Sequence, residues 1–440
     1  MTDSGAVVSD RALHRVLSLV IDVRPAEVRA LGWSWLYIFS VLFSYYILRP
    51  IRDEMGVAGG VENLQWLFTG TLLGMLAVNP PFAALVAKLP RAKFIACTYR
   101  FFAANLLIFI VLLQTASAEQ NIWIGRVFFI WASVFHLFVV SVFWAMIVDV
   151  FDSEQGKRLF GFIAAGATLG GIVGSSVTAT FAKQVPPAYL LLGSVLLLEA
   201  AVFCVRRLSR LSEALHQTPG AARGDAPIGG SIFSGVAHAL KSPYLINVGL
   251  FLLLFAITST FLYFQQAEIA RKYFANRGAR TAFFASVDLW VNILTLGAQL
   301  FLTGRALKRI GVALTLALLP ALSIFGFAAL AWAPAIAVLV AFQVIRRAGN
   351  FAFARPTREL LFTVVPREDK YKAKSFIDTV VYRLGDQVGA WSYAGLGALG
   401  LAMTGISLVA VPISIVWLLN SLWLGRKQKG LEAELEPGSR

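Results

Sequence analysis

Runs of about 20 apolar residues recur along this chain, and that is the length an α-helix needs to cross the hydrocarbon core of a bilayer. Twelve such runs can be counted. Only helices and closed barrels satisfy every backbone N–H and C=O in lipid. The 440 residues would otherwise suit two or three soluble domains, but 58% are apolar, 14% are charged and the mean hydropathy is +0.71. The expectation is an all-α membrane protein with twelve transmembrane helices in two six-helix halves. The polar stretch 207–241, with Pro219, Gly220, Gly224, Pro227, Gly229 and Gly230, separates the halves, at 31–206 and 242–425. Residues 1–30 form an N-terminal segment, and residues 426–440 a charged tail expected to be disordered.

The net charge of +15 does not point to nucleic acid, because the basic residues segregate by side. Lys88, Arg91, Lys93, Lys157, Arg158, Arg305, Lys308 and Arg309 share one face with Arg206 and Arg207 of the linker and Arg426 and Lys427 of the tail. The opposite loops hold only Lys183 and the group Arg271, Lys272, Arg277 and Arg280. The richer face is expected to be cytoplasmic, with both termini on it, in a bacterial inner membrane. Residues 10–24 read as an amphipathic helix on that surface. Cys97 and Cys204 fall inside helices and read as small apolar fillers.

Charge at membrane depth marks the functional region, because it costs several kcal/mol per group if it faces lipid. Between two apolar runs, residues 346–389 carry Arg346, Arg347, Asn350, Asp378, Arg383 and Asp386. Arg346 and Arg347 would lie roughly 16–18 Å along their helix, near the midplane. Neither has an acid within one turn, and helices 8 and 11 could supply partners in Asp288 and Asp378. Arg383 with Asp386, and Arg355 with Glu359, have the spacing of internal pairs. An arginine couple without an adjacent acid suits an anionic substrate, since guanidinium presents paired donors to phosphate or carboxylate. Arg49, Arg52, Asp53 and Glu54 crowd the outer end of the first helix, where a substrate role and a self-neutralising helix end weigh about equally. Asp288, with Asn292 one turn on, is a candidate for proton or cation coupling.

A weak internal repeat appears at an offset of 215 residues, setting Gly170 over Gly385, Gly174 over Gly389, Asp53 over Glu268 and Glu154 over Asp369. Glycines at four-residue spacing, Gly166, Gly170 and Gly174, allow close helix packing. Two six-helix halves related in parallel are the plan of facilitator-type transporters. The basic loops Lys88–Lys93 and Gly304–Gly311 resemble the pattern of the major facilitator superfamily, without its usual loop Asp.

Three segments resemble the bacterial and plastid-type ATP/ADP translocases, the NTP/NDP exchangers related to that superfamily. They are ILRPIRDEMGV at 47–57, DSEQGKRLFGFIAAGATLG at 152–170, and FARPTRELLFTVVPREDKYKAKSFIDTVVYRLGDQVGA at 353–390. The resemblance places Arg52, Asp53, Glu154, Arg358, Glu359, Lys372, Lys374 and Asp378 on family motif positions. It implies nucleotide counter-exchange without hydrolysis. The chain departs from the family in having Arg52 where Lys is general and Asp386 where Lys follows Leu-Gly. Because ATP carries about four negative charges, the added anion disfavours it electrostatically.

The resulting expectation is a secondary transporter working by alternating access on an organic anion, most readily ATP/ADP. Arg49, Arg52, Arg346, Arg347, Asn350 and Arg383 are the expected substrate contacts. Asp53, Glu154, Asp288, Arg358, Glu359, Asp378 and Asp386 are the expected gating or coupling groups. A proton-coupled carrier of another solute is the alternative, suggested by Asp386. A membrane sensor or enzyme is a third, weakened by the lack of a Walker A loop, a metal motif or a nucleophile constellation. No cofactor, metal or nucleic-acid partner is expected, and the protein is expected to be monomeric in lipid.

Overall fold

A computed structural model describes residues 14–15, 18, 21–88, 90–215, 242–365, 373–374 and 376–435. The amphipathic helix expected over 10–24, much of the linker, Asp369, Lys372 and the last five residues lie largely or wholly outside them. The long helices of the first half are α1 (Val28–Ala58), α2 (Leu64–Lys88), α3 (Arg91–Thr115), α4 (Ala118–Val150), α5 (Ser153–Phe181) and α6 (Pro187–Leu215). Those of the second half are α7 (Pro243–Tyr273), α8 (Arg277–Phe301), α9 (Thr303–Trp332), α10 (Ile336–Gly349), α11 (Tyr382–Ala398) and α12 (Met403–Leu435). A π-helical turn, Asn350–Ala354, continues α10 into Arg355–Leu360, and another, Ile377–Val381, leads into α11.

Among the described residues, ten helices are long and apolar enough to cross a membrane. The helices α2 and α11 are not among these ten. The helix α2 runs through Pro80 and Pro81; helices in apolar surroundings tolerate Pro where neighbours satisfy the freed carbonyls. The expected loop over 304–311 is instead the first turns of α9, and the break falls at Gly311, whose φ of 73° suits a residue without a Cβ. The tail also differs from expectation, since α12 continues to Leu435. Its charged end is amphipathic, with Leu431 packed on the core around Trp417 and Gln428 bonded to Glu432 one turn on.

The chain forms two compact units. One comprises Met1–Gly59, Gly70–Gly224 and Phe274–Leu289; the other comprises Gly60–Thr69, Asp225–Tyr273 and Trp290–Arg440. The core of the first is aromatic: Tyr37 bonds Tyr99 at 2.6 Å among the buried rings of Phe135 and Phe143. Large apolar side chains also lie exposed along the helices, Leu73, Phe101, Leu196 and Phe325 among them. On membrane-spanning helices such side chains meet lipid, not water.

The sequence repeat has a physical counterpart in each unit. A Cβ on Gly170 would sit 2.5 Å from the Phe39 carbonyl oxygen of α1, and one on Gly385 would sit 2.6 Å from Ala256 Cβ and 3.0 Å from the Leu253 oxygen of α7. The glycines therefore let α5 lie against α1, and α11 against α7, backbone to backbone. Gly170→Val is expected to cost about 1–3 kcal/mol by overpacking, read as a lower thermal midpoint of the purified protein. Gly161→Ala, which meets nothing within 4 Å, should leave the midpoint unchanged.

Candidate functional site

In the first unit, the last turns of α1 gather the charges. Arg49 and Arg52 are one turn apart. Arg49 meets Asp288 of α8 at 3.4 Å, with the Asp288 side chain 2% exposed. Arg52 donates from Nε and Nη2 to Oδ1 of Asp53, at 2.9 and 2.6 Å, and from Nη1 to Ser133 of α4 at 3.4 Å. Its guanidinium also lies over the Phe129 ring. Helix neighbours one residue apart do not face each other, and it is the length of the arginine stem that lets the pair close.

Glu54 completes this cluster. Nearly fully buried, it accepts from Nε and Nη2 of Arg277, at 3.0–3.1 Å, and from Nη2 of Arg280 at 2.9 Å. Sequence reasoning left Glu54 at a crowded helix end and the two arginines in a loop. The signal available was their spacing: Arg277 and Arg280 stand three apart in the first turn of α8 and share one face.

In the second unit, Arg346 is 2% exposed and has no carboxylate partner among the described residues. Its guanidinium donates to Ser323, Ser259, Thr258 and the Phe255 carbonyl, at 2.7–3.4 Å, and lies over the rings of Phe255 and Trp417. Four of its five N–H groups are thus taken. Asp378, one of the two acids that could have partnered it, meets Arg358 at 3.2 Å. Glu359 is held by Lys374 and not by Arg355. Arg347 and Asn350 are half-buried, Asn350 opening the π-helical turn.

On α11, Arg383 Nη1 donates to Asp386 Oδ2 at 3.0 Å, as the three-residue spacing predicts. Thr260 of α7 hydrogen-bonds the same carboxylate. The run Thr258-Ser259-Thr260 therefore serves two charges, Arg346 through its first two hydroxyls and Asp386 through its third. Three successive hydroxyls within an apolar helix were the visible sign of it. Nearby, Gln343 donates to Gln266 at 2.6 Å, and Tyr393 to Glu268 at 2.8 Å.

Glu154 is placed elsewhere. It pairs with Arg24 at 3.0 Å, with both side chains exposed, at the end of the unit where α1 begins. Arg49 lies roughly 30 Å along α1 from there. Next to that pair, Arg158 holds Glu27 at 2.9 Å, which ties the start of α1 to the start of α5. The described residues hold no group of three His, Cys, Asp or Glu arranged to bind a metal.

Residues 34–386 match the family model of the Major Facilitator Superfamily. The chain is 20% identical to ADP,ATP carrier protein 1 of Chlamydia trachomatis serovar D, over 95% of this chain and 92% of that protein. This agrees with the resemblance drawn from the three motif segments. Among solved structures, a bacterial homologue of the iron transporter ferroportin in an inward-facing state aligns with a TM-score of 0.62 at 12% identity, covering 92% of this chain and 98% of that one. A bacterial homologue of the human lysosomal transporter Spinster aligns with a TM-score of 0.58 at 13% identity, covering 93% and 99%. At these identities the structures speak for the fold.

Proposed function

The chain belongs to the Major Facilitator Superfamily and is an integral membrane transporter rather than an enzyme, and from that premise we propose that it moves an organic anion by alternating access, exchange of ATP for ADP being the first case. The observation that carries this reading is similarity to an ADP,ATP carrier along nearly the whole chain. Arginines at membrane depth support it, since guanidinium presents the paired donors that phosphate accepts. In this reading α2 and α11 also span, giving twelve crossings with both termini cytoplasmic, in a bacterial inner membrane, as a monomer.

Arg49, Arg52, Arg347, Asn350 and Arg383 are the proposed anion contacts. Arg346, with four donors already taken, contributes its charge more than its hydrogen bonds. Asp53, Asp288 and Asp386 neutralise the arginines they touch until substrate arrives. Arg358 with Asp378, Glu359 with Lys374, and Glu154 with Arg24 are proposed as gating pairs. The three neutralised arginines favour an anion of lower charge than ATP within the same reading. The test is equilibrium binding of labelled ADP to purified protein. Arg347→Gln is expected to weaken it at least tenfold, which corresponds to about 1.4 kcal/mol, with Arg347→Lys losing less. Unchanged affinity in Arg347→Gln would remove that residue from the site.

A further inference from the structure

Arg383, unlike Arg346, has donors to spare. It gives one N–H to Asp386, and no other group among the described residues accepts from it. Its side chain is 31% exposed, while that of Asp386 is 11% exposed. The cation is therefore open to a ligand, and the carboxylate beneath it is not.

We propose that Arg383 and Asp386 couple one proton to each anion carried: an anion that takes the open donors of Arg383 drives proton uptake by Asp386. The inference rests on the anion-transport reading and deepens it. Before binding, one guanidinium faces one buried carboxylate and the pair is neutral. The anion places a second negative charge on the same guanidinium, a few ångströms from the first. Two anions sharing one cation in a water-poor site repel, and the buried one relieves this by binding a proton. The balance is simple: the Asp386 carboxylate and a proton from solution become a carboxylic acid, and Arg383 becomes the counter-ion of the substrate. One proton taken up with each anion offsets one unit of its negative charge, and a multivalent anion brings the remainder of its charge to the site.

Among the described residues Arg383 is the cation paired with Asp386, and Arg355 and Arg358 reach only as far as Tyr382. From α7 it meets the neutral hydroxyl of Thr260. The ionisable groups of α7 itself are Tyr244, Tyr263, Glu268, Arg271, Lys272 and Tyr273, and of these Glu268 is held by Tyr393. On α11, Tyr382 stands beside the pair and faces Arg346 of α10, whose donors are taken by hydroxyls and a carbonyl. The α12 helix carries no ionisable group before Arg426. Gln387, next along α11, is bonded by Thr69 of α2.

One site then works in two modes. Exchange of one anion for another carries a proton each way and is independent of a pH gradient, whereas net uptake moves a proton inward with each anion. In vesicles clamped at zero membrane potential, a gradient of one pH unit should support about tenfold accumulation of the anion.

Two measurements test this. The first needs no substrate. In Arg383→Gln at neutral pH, infrared spectroscopy should show a protonated-carboxyl band that disappears in Arg383→Gln/Asp386→Asn; absence of the band would overturn the proposal, because Asp386 would then stay ionised without its cation. The second uses wild-type protein in vesicles containing a pH dye, with ADP and then inorganic phosphate as probes. Net uptake should acidify the lumen, Asp386→Asn should lose both acidification and the tenfold accumulation, and Asp386→Glu should keep them. Net uptake of label without acidification, or labelled counterflow with no net uptake under an imposed pH gradient, overturns the coupling and leaves anion transport standing. No counterflow with either probe counts against the anion-transport reading, and the infrared result then decides the linkage by itself.

Discussion

Asp288→Ala is expected to destabilise the protein by about 3–5 kcal/mol, the cost of leaving one member of a buried ion pair without the other. Asp288 is 1% exposed and meets Arg49 at 3.4 Å. Its loss leaves the Arg49 guanidinium in the first unit without the carboxylate it meets. Thermal melting of the purified protein should show a large fall in midpoint for Asp288→Ala. The double variant Arg49→Met with Asp288→Leu should recover most of it, because an apolar pair of similar volume avoids desolvating two charges. A double variant no more stable than the single would mean that the pair itself is not what Asp288 contributes.

The second large effect is expected at Glu54, which holds Arg277 and Arg280. A hydrogen bond to a charged group contributes about 1.5–3 kcal/mol. The more exposed Arg277 is discounted for solvent screening, and Arg280, 11% exposed, is not. Glu54→Ala should therefore free the start of α8 from the end of α1, and hydrogen exchange at the amides of 277–283 should quicken roughly tenfold or more, on the scale of 1.4 kcal/mol per tenfold. Arg277→Ala should give a smaller increase. If this segment is the outer gate of a transporter, the same substitution also raises the rate of net efflux relative to exchange. Unaltered exchange at 277–283 would show that the clasp does not hold the segment.

These pairings mark where sequence reading stopped. The helices were legible because a run of about 20 apolar residues has one stable form in lipid. The close approach of α5 to α1 was legible from glycine spacing, and the structure repeats it between α11 and α7. The Arg383–Asp386 pair was legible because both residues lie on one helix face. Asp288 could not be assigned to Arg49, nor Asp378 to Arg358, because pairing between helices depends on their rotation, which no periodicity encodes. In sequence Arg346 reads as an arginine without an adjacent acid, suited to an anionic substrate. Neutral hydroxyls from α7 and α9 satisfy it instead, and such residues carry no charge for a pattern search to find. The continuation of α12 through its basic end was hidden by composition, since Gly425, Arg426, Lys427 and Lys429 look like a tail unless Leu424 and Leu431 are seen seven residues apart on one apolar stripe.

The measurement that bears most directly on the account is counterflow in proteoliposomes loaded with unlabelled ADP and given labelled ATP outside, with protein-free vesicles as the control. The account predicts uptake of label that depends on internal ADP, saturates, and falls strongly in Arg347→Gln. Folded protein that shows no counterflow with ADP, ATP or inorganic phosphate would contradict it, leaving a transporter fold whose arginines serve some other cargo.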